Sequence, residues 1–191
     1  MAKPKITDVK VAEDALHYEY AFNTGVNFRH RIIQITGDIQ PPLFDYVDAA
    51  LTEMERENRK GITIKIHSFG GSAYEALAII GRIKRSSCFI TTEGYGAIMS
   101  AAALILACGD RRKISQYSWY MWHESSYVVE GKHSEIKNTV IQTEREEEQW
   151  AQAMAKFSHK DTKFWRDVGK HTDAYFSPQE LVDMGVCDDI F

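Results

Sequence analysis

The sequence predicts an α/β fold, on two observations. Three runs rich in β-branched residues, 31–36 (RIIQIT), 62–66 (ITIKI) and 88–93 (CFITTE), are each bordered by glycine. Each is followed by a segment whose apolar residues recur at helical spacing. Strand and helix alternating three times between residues 31 and 107 call for right-handed crossovers and a parallel sheet core. The chain has 191 residues, 44% of them apolar and 26% charged, and neither a low-complexity linker nor an internal repeat interrupts it. One continuous domain fits that composition.

In order along the chain, Pro41-Pro42 open a helix that carries Leu43, Val47, Leu51 and Met54 on one stripe. Gly70-Gly71 close the second strand and lead into a helix in which Ala73, Leu77 and Ile80 share a face. The third strand ends at Gly94 and Gly96, and the apolar residues 98–107 read as a buried helix. Two short segments, 112–116 and 118–123, read as strands. Beyond Gly131 a long helical pattern runs to about residue 157 with Ile136, Val140, Trp150, Met154 and Phe157 as its apolar positions. The acidic run Glu144, Glu146, Glu147 and Glu148 reads as its solvated face. The end is well punctuated: Ser177 as N-cap, Pro178 at the first helical position, Glu180 at the third and Gly185 just beyond, before a final strand at 186–190.

Composition excludes several function classes. Twenty-three basic against 27 acidic residues give a net charge of −4, which removes the electrostatic basis for a nucleic-acid binder. Cys88, Cys108 and Cys187 lack CxxC spacing and support neither a disulfide framework nor a zinc site. Seven histidines occur without HxxxH or HExxH, so no metal is expected. Neither GxGxxG nor GxxxxGK[ST] is present, so no nucleotide or other cofactor is expected either. The first 28 residues mix charges among apolar positions unlike a signal peptide. The longest apolar run, 96–109, is shorter than the roughly 20 residues a bilayer needs. These features predict a cytoplasmic protein with no membrane association.

Four places carry side chains or backbone that can do chemistry. Ser100, in GYGAIMSAAALILACG, stands at the start of an apolar helix, where first-turn N–H groups lack intrahelical partners and can stabilise an oxyanion. A small residue allowing close packing, or an N-cap, accounts for it equally. Gly70-Gly71, in IHSFGGSAYEAL, allow backbone to approach a ligand, as does any tight strand-to-helix turn. His123 ends an aromatic strand (SWYMWHESS), either as an acid–base group or as a structural histidine. Asp173 lies four residues before the capped helix, either orienting an imidazole or solvated in a loop.

Taken together, SFGG at 68–71, GAIMSAA at 96–102, MWHES at 121–125 and DAYFSPQE at 173–180 resemble, in order, the motifs of the Clp protease proteolytic subunit (ClpP) family. The family pattern is SPGG, then GQAASMGA, then MIHQP, then an aspartate four residues before a SAPEA helix that leads into GLVD. The resemblance runs from about residue 31 to 190 and makes the chain similar to a divergent member. It implies a crotonase/ClpP-like fold of repeated β-β-α units with a long handle helix after Gly131, and an N-terminal segment 1–30 that gates an axial pore. It implies Ser100 as nucleophile, His123 as general base and then acid, Asp173 as the group fixing the imidazole tautomer, and the N–H groups of Gly71 and Ala101 as the oxyanion hole.

The same resemblance implies a serine endopeptidase that forms heptameric rings stacked in pairs, a tetradecamer, around an internal chamber. Short peptides would enter freely, and proteins only with an AAA+ unfoldase that hydrolyses the ATP. Phe69, Ala101, Glu124-Ser125 and His171-Thr172 depart from the family pattern, the last replacing an arginine-aspartate pair that links rings. Two other classes share the core fold: a non-catalytic regulatory ring subunit, which usually lacks a triad residue, and a crotonase-type acyl-CoA enzyme, which has no need of Ser100. A Ser-Lys signal-peptide peptidase of similar fold would need a membrane-associated nucleophile.

Overall fold

The computed structural model describes residues 6–191. The expected N-terminal segment 1–30 falls partly on residues 1–5, which lie outside the described residues. The remainder of that segment contains a helix, α1 (Ile6–Thr24), and a two-residue strand, β1 (Val26–Asn27). Neither is legible in the sequence, because Leu16, Tyr18 and Phe22 lie exposed on α1 rather than forming a core-facing stripe. Gly25, at φ +72°, ends the helix in the left-handed conformation that follows many helix C-termini.

From residue 32 onward strand and helix alternate as predicted. β2 (Ile32–Thr36), α2 (Leu43–Glu57), β3 (Ile62–Ser68), α3 (Ala73–Lys84), β4 (Ile90–Met99), α4 (Ala101–Ala107) and β5 (Arg111–Ile114) follow in order. The parallel order β2-β3-β4-β5 is what right-handed crossovers produce. Ile33, Ile35, Ile62, Ile64, Ile66 and Ile90 are almost wholly buried, as β-branched residues on a covered sheet should be. On α2 the predicted positions Val47, Leu51 and Met54 are buried. On α3 the buried face is Ala76, Ile79, Ile80 and Ile83, rotated from the expected Ala73 and Leu77.

α2 and α3 are held together by a charged brace. Arg82 donates to Asp48 and to Glu55 at 2.5 and 2.8 Å, and Glu55 also accepts from Ser86 Oγ and the Ser87 N–H at 2.6 and 3.0 Å. Burial works to raise the Glu55 pKa, but these donors outweigh it and hold the carboxyl at about 2 against an ordinary 4.5. Stabilisation from a depressed carboxylate is complete above its unfolded pKa and vanishes as pH falls through its folded one. The melting-temperature gap between wild type and Glu55→Gln is therefore expected to be full above pH 4.5 and to close toward pH 2, as thermal melts across that range would read.

β4 departs most from expectation. The predicted strand stops at Gly94 and the predicted helix starts at Ile98, yet the strand runs on to Met99 and the helix begins only at Ala101. The two glycines mark a bulge inside the strand, where the β3–β4 register shifts between Ile66 and Ser68. His67 Nδ1 bridges the irregularity, lying 3.0 Å from Tyr95 O and accepting from the Ala97 N–H at 3.1 Å. Beyond the bulge β4 changes partner. Its first half pairs with β5, and Ala97–Met99 pair in parallel with β6 (Trp119–Trp122).

The C-terminal third contains α5 (His133–Lys156), α6 (Thr162–Val168), β7 (Ala174–Phe176), α7 (Pro178–Asp183) and β8 (Asp189–Ile190). β7 pairs antiparallel with β6, and β8 closes the sheet beside β5. α7 is capped as predicted, with Ser177 and Glu180 forming a reciprocal capping box and Gly185 at φ +70°. α6 and β7 were not assigned from the sequence. Their joint role is to support β6: Trp122 donates its indole N–H to Trp165 O at 2.8 Å, and the two rings meet edge-on 5.4 Å apart. No helix among the described residues is long and apolar enough to cross a membrane.

Candidate active site

The turn from β4 into α4 carries Ser100 at φ +53°, ψ −121°. A non-glycine residue at positive φ is strained, and such strain persists only where the surroundings over-determine it. Here the Ser100 N–H donates to Met121 O at 2.9 Å and Ser100 O accepts from the Ala103 N–H at 3.0 Å. The turn is thus pinned to β6 on one side and to α4 on the other. Ser100 therefore stands at a strained junction between β4 and α4, and its side chain lines a cleft.

Against that turn packs the Gly70-Gly71 pair, and here glycine is obligatory. At Gly70 (φ +108°) a Cβ would stand 2.6 Å from Ser100 Cβ and 2.9 Å from Met99 O. At Gly71 (φ +145°) a Cβ would stand 2.3 Å from Ile39 O. Ile39 bridges the pair, donating to Gly70 O at 2.8 Å and accepting from the Ser72 N–H at 2.7 Å. That pattern spends the groups flanking Gly71 and leaves its own N–H out of the bridge. The Ala101 N–H, in the first turn of α4, has no intrahelical acceptor. Gly70→Ala is expected to destabilise the fold by about 2 kcal/mol, a melting-temperature loss of about 4–8 °C, measured by calorimetry.

His123 follows β6 directly, and its Nε2 lies 2.9 Å from Ser100 Oγ. The β6–β7 register pairs Trp122 with Ala174. One step further along the same antiparallel ladder stand His123 and Asp173, so strand pairing sets these two residues opposite each other. His123 Nδ1 and Asp173 Oδ1 are 3.6 Å apart, an ion-pair separation longer than a hydrogen bond, and the Asp173 side chain is 52% exposed. Beneath His123 the strand tip rests on Gly169, where a Cβ would come within 2.9 Å of His123 Cα.

Ser100, His123, Gly71 and Ala101 line one cleft of 590 Å³ that is floored by Trp122, Trp150 and Trp165. Asp173 lies in an adjoining recess reached through His123. The structure thus brings Ser100, His123, Gly71 and Ala101 to one cleft and sets Asp173 beside His123 in the next recess. It also corrects one reading: the acidic run on α5 is not simply a solvated face. Glu146 accepts from Tyr74 OH and Gln142, Glu147 from the Ser125 N–H at 3.2 Å, and Glu148 from Arg166 at 2.7 Å. The hydrogen bond to Glu146 also raises the Tyr74 phenol pKa.

Sequence reasoning missed the supports, Gly169 and the α6 tryptophan, although Asp161 as N-cap and Gly169 just past the helix were a legible start and stop signal. Other nucleophile candidates are poor: burial pushes the Cys108 and Cys187 thiols up to about 12. Among the described residues no group of three or more His, Cys, Asp or Glu is placed to hold a metal ion.

Comparison with known proteins shows a family likeness over most of the chain. The ATP-dependent Clp protease proteolytic subunit of Pleurastrum terricola is 28% identical over 166 residues, covering 84% of this chain and 83% of that protein. The proteins of the same name from Borreliella afzelii and Bacteroides thetaiotaomicron are 32% identical over 130 residues and 29% over 134. The first alignment covers 66% of each chain, and the second covers 69% of this chain but only 60% of the Bacteroides protein. The Clp protease family model matches residues 19–191, which takes in the β4–α4 turn, the glycine pair, the β6 tip and the strand that faces it, and on that match the chain belongs to the Clp protease family.

Proposed function

We propose that this chain is a serine endopeptidase of the ClpP type. The observation that carries the reading is the 2.9 Å contact between Ser100 Oγ and His123 Nε2 at a strained strand-to-helix turn. In the proposed cycle Ser100 Oγ attacks the scissile carbonyl carbon and passes its proton to His123 Nε2. The carbonyl oxygen becomes an oxyanion that accepts from the Gly71 and Ala101 N–H groups. Collapse breaks the C–N bond, His123 returns the proton to the leaving amine, and water drawn by the same imidazole releases the acyl group from Ser100. Asp173 holds the proton of the imidazole on Nδ1. No cofactor enters any step.

Relatives named as ATP-dependent proteolytic subunits support assembly with an ATPase. The reading accordingly takes residues 31–191 as a peptidase domain in paired heptameric rings, cytoplasmic, with residues 1–30 at the axial pore and an AAA+ unfoldase as partner. The half-exposed Asp173 and its 3.6 Å separation from His123 favour a second reading, a ring subunit whose site is idle by itself and regulates active neighbours. Intact mass after treatment with a fluorophosphonate separates the two. One adduct, mapped to Ser100, is the expected result. No adduct on the assembled protein would leave the regulatory subunit.

A further inference from the structure

The segment that carries Asp173 is tied to the strand that carries His123 at three points, and the third has no role so far. β7 pairs with β6 through Ala174 and Trp122 at one end of the segment. At the other end Gly169 O accepts from the Glu124 N–H at 3.1 Å. Between them, residues 170–173 loop out over the recess, exposed to solvent. The crest of that loop is His171, at φ +66°. Left-handed backbone is uncommon outside glycine, though histidine is among the residues that adopt it more often, and it needs an outside hold.

That hold is the Glu124 carboxylate, which accepts from the His171 N–H at 3.3 Å and stands 3.9 Å from His171 Nδ1. Glu124 thereby grips the loop with its backbone and its side chain at once, and it is the residue next to His123. Shortening its side chain leaves the 170–173 loop held only at its two ends, by the Glu124–Gly169 backbone bond and by β7. A half-exposed carboxylate already 3.6 Å from Nδ1 then has freedom to swing into water.

We infer that Glu124 is a positioning residue, which acts through the His171 backbone to keep Asp173 against His123. The inference rests on the peptidase reading for its kinetic consequence, and its structural half stands apart from that reading. The hydrogen bond to the N–H is the part that matters, so glutamine, which keeps an acceptor oxygen, should replace glutamate, and alanine should not. Groups that act through one another are non-additive.

The test is steady-state hydrolysis of a fluorogenic peptide by wild type, Glu124→Ala and Glu124→Gln, each with and without Asp173→Asn. Glu124→Ala is expected to lower kcat about tenfold with KM within about twofold, a coupling well inside the range for residues in one network. Glu124→Gln should recover to within about twofold, and in the Asp173→Asn background Glu124→Ala should change nothing further. Full kcat in Glu124→Ala, a glutamine variant as slow as alanine, or a loss that persists without Asp173 would each overturn the inference. Hydrogen exchange at the His171 amide supplies a readout free of turnover. Faster exchange in Glu124→Ala but not in Glu124→Gln is expected, and equal rates in all three would overturn the inference. A wild type that turns nothing over sinks the peptidase reading, and the exchange rates then decide the tether on their own.

Discussion

Ser100→Ala is expected to lower peptide hydrolysis by about ten-thousandfold or more, since the nucleophile of an acyl-transfer triad supplies most of what the triad as a unit contributes. The substitution removes the hydroxyl that the proposed cycle uses to attack, and it leaves the His123 imidazole and the cleft in place. A variant that hydrolyses the peptide at the wild-type rate would take Ser100 out of the mechanism. The same position makes a second statement about stability. Alanine inherits the φ of +53° and the strain that goes with it. Glycine relieves that strain while also losing the hydroxyl, so Ser100→Gly should be as inactive as Ser100→Ala yet more stable by about 1 kcal/mol. In thermal melts that difference is about 2–4 °C. A turn that holds the residue proposed for its chemistry in a conformation glycine would adopt more easily is what a functional constraint on backbone conformation predicts.

What was legible in the sequence follows from how local each feature is. β2 and β3 are dense in isoleucine and bordered by glycine, and α7 carries its whole cap within nine residues, so both were readable from short windows. The end of β4 was not, because Gly94 and Gly96 punctuate the sequence as a terminus would, and only the change of partner from β5 to β6 shows the strand continuing through a bulge. β7 has three residues, too few for any period to show. The site was legible in composition and order but not in geometry. Nothing within fifty residues of His123 announces that it faces Asp173. That pairing is made by the β6–β7 register, a contact between segments that only folding brings together. Gly70 and Gly169 were visible as glycines, and the reason no other residue fits, the approach of Ser100 to one and of His123 to the other, is tertiary.

Asp173→Asn is expected to lower kcat by about a hundredfold with little change in KM, the low end of what a positioned acid–base partner contributes. An aspartate buried against its histidine fixes the tautomer strongly, and its amide replacement is correspondingly severe. Here the carboxylate is half exposed and 3.6 Å from Nδ1, so water competes for it and its hold on the imidazole is weaker. The asparagine side chain can present an N–H₂ to Nδ1, which favours the tautomer carrying its proton on Nε2, where it can no longer accept from Ser100 Oγ. The size of the loss therefore measures how far the site closes in solution. A hundredfold loss corresponds to the geometry described here. A loss near ten-thousandfold would mean that assembly draws Asp173 into direct hydrogen bonding with His123. Unchanged kinetics would take Asp173 out of the triad, and the imidazole would then need another acceptor within reach of Nδ1.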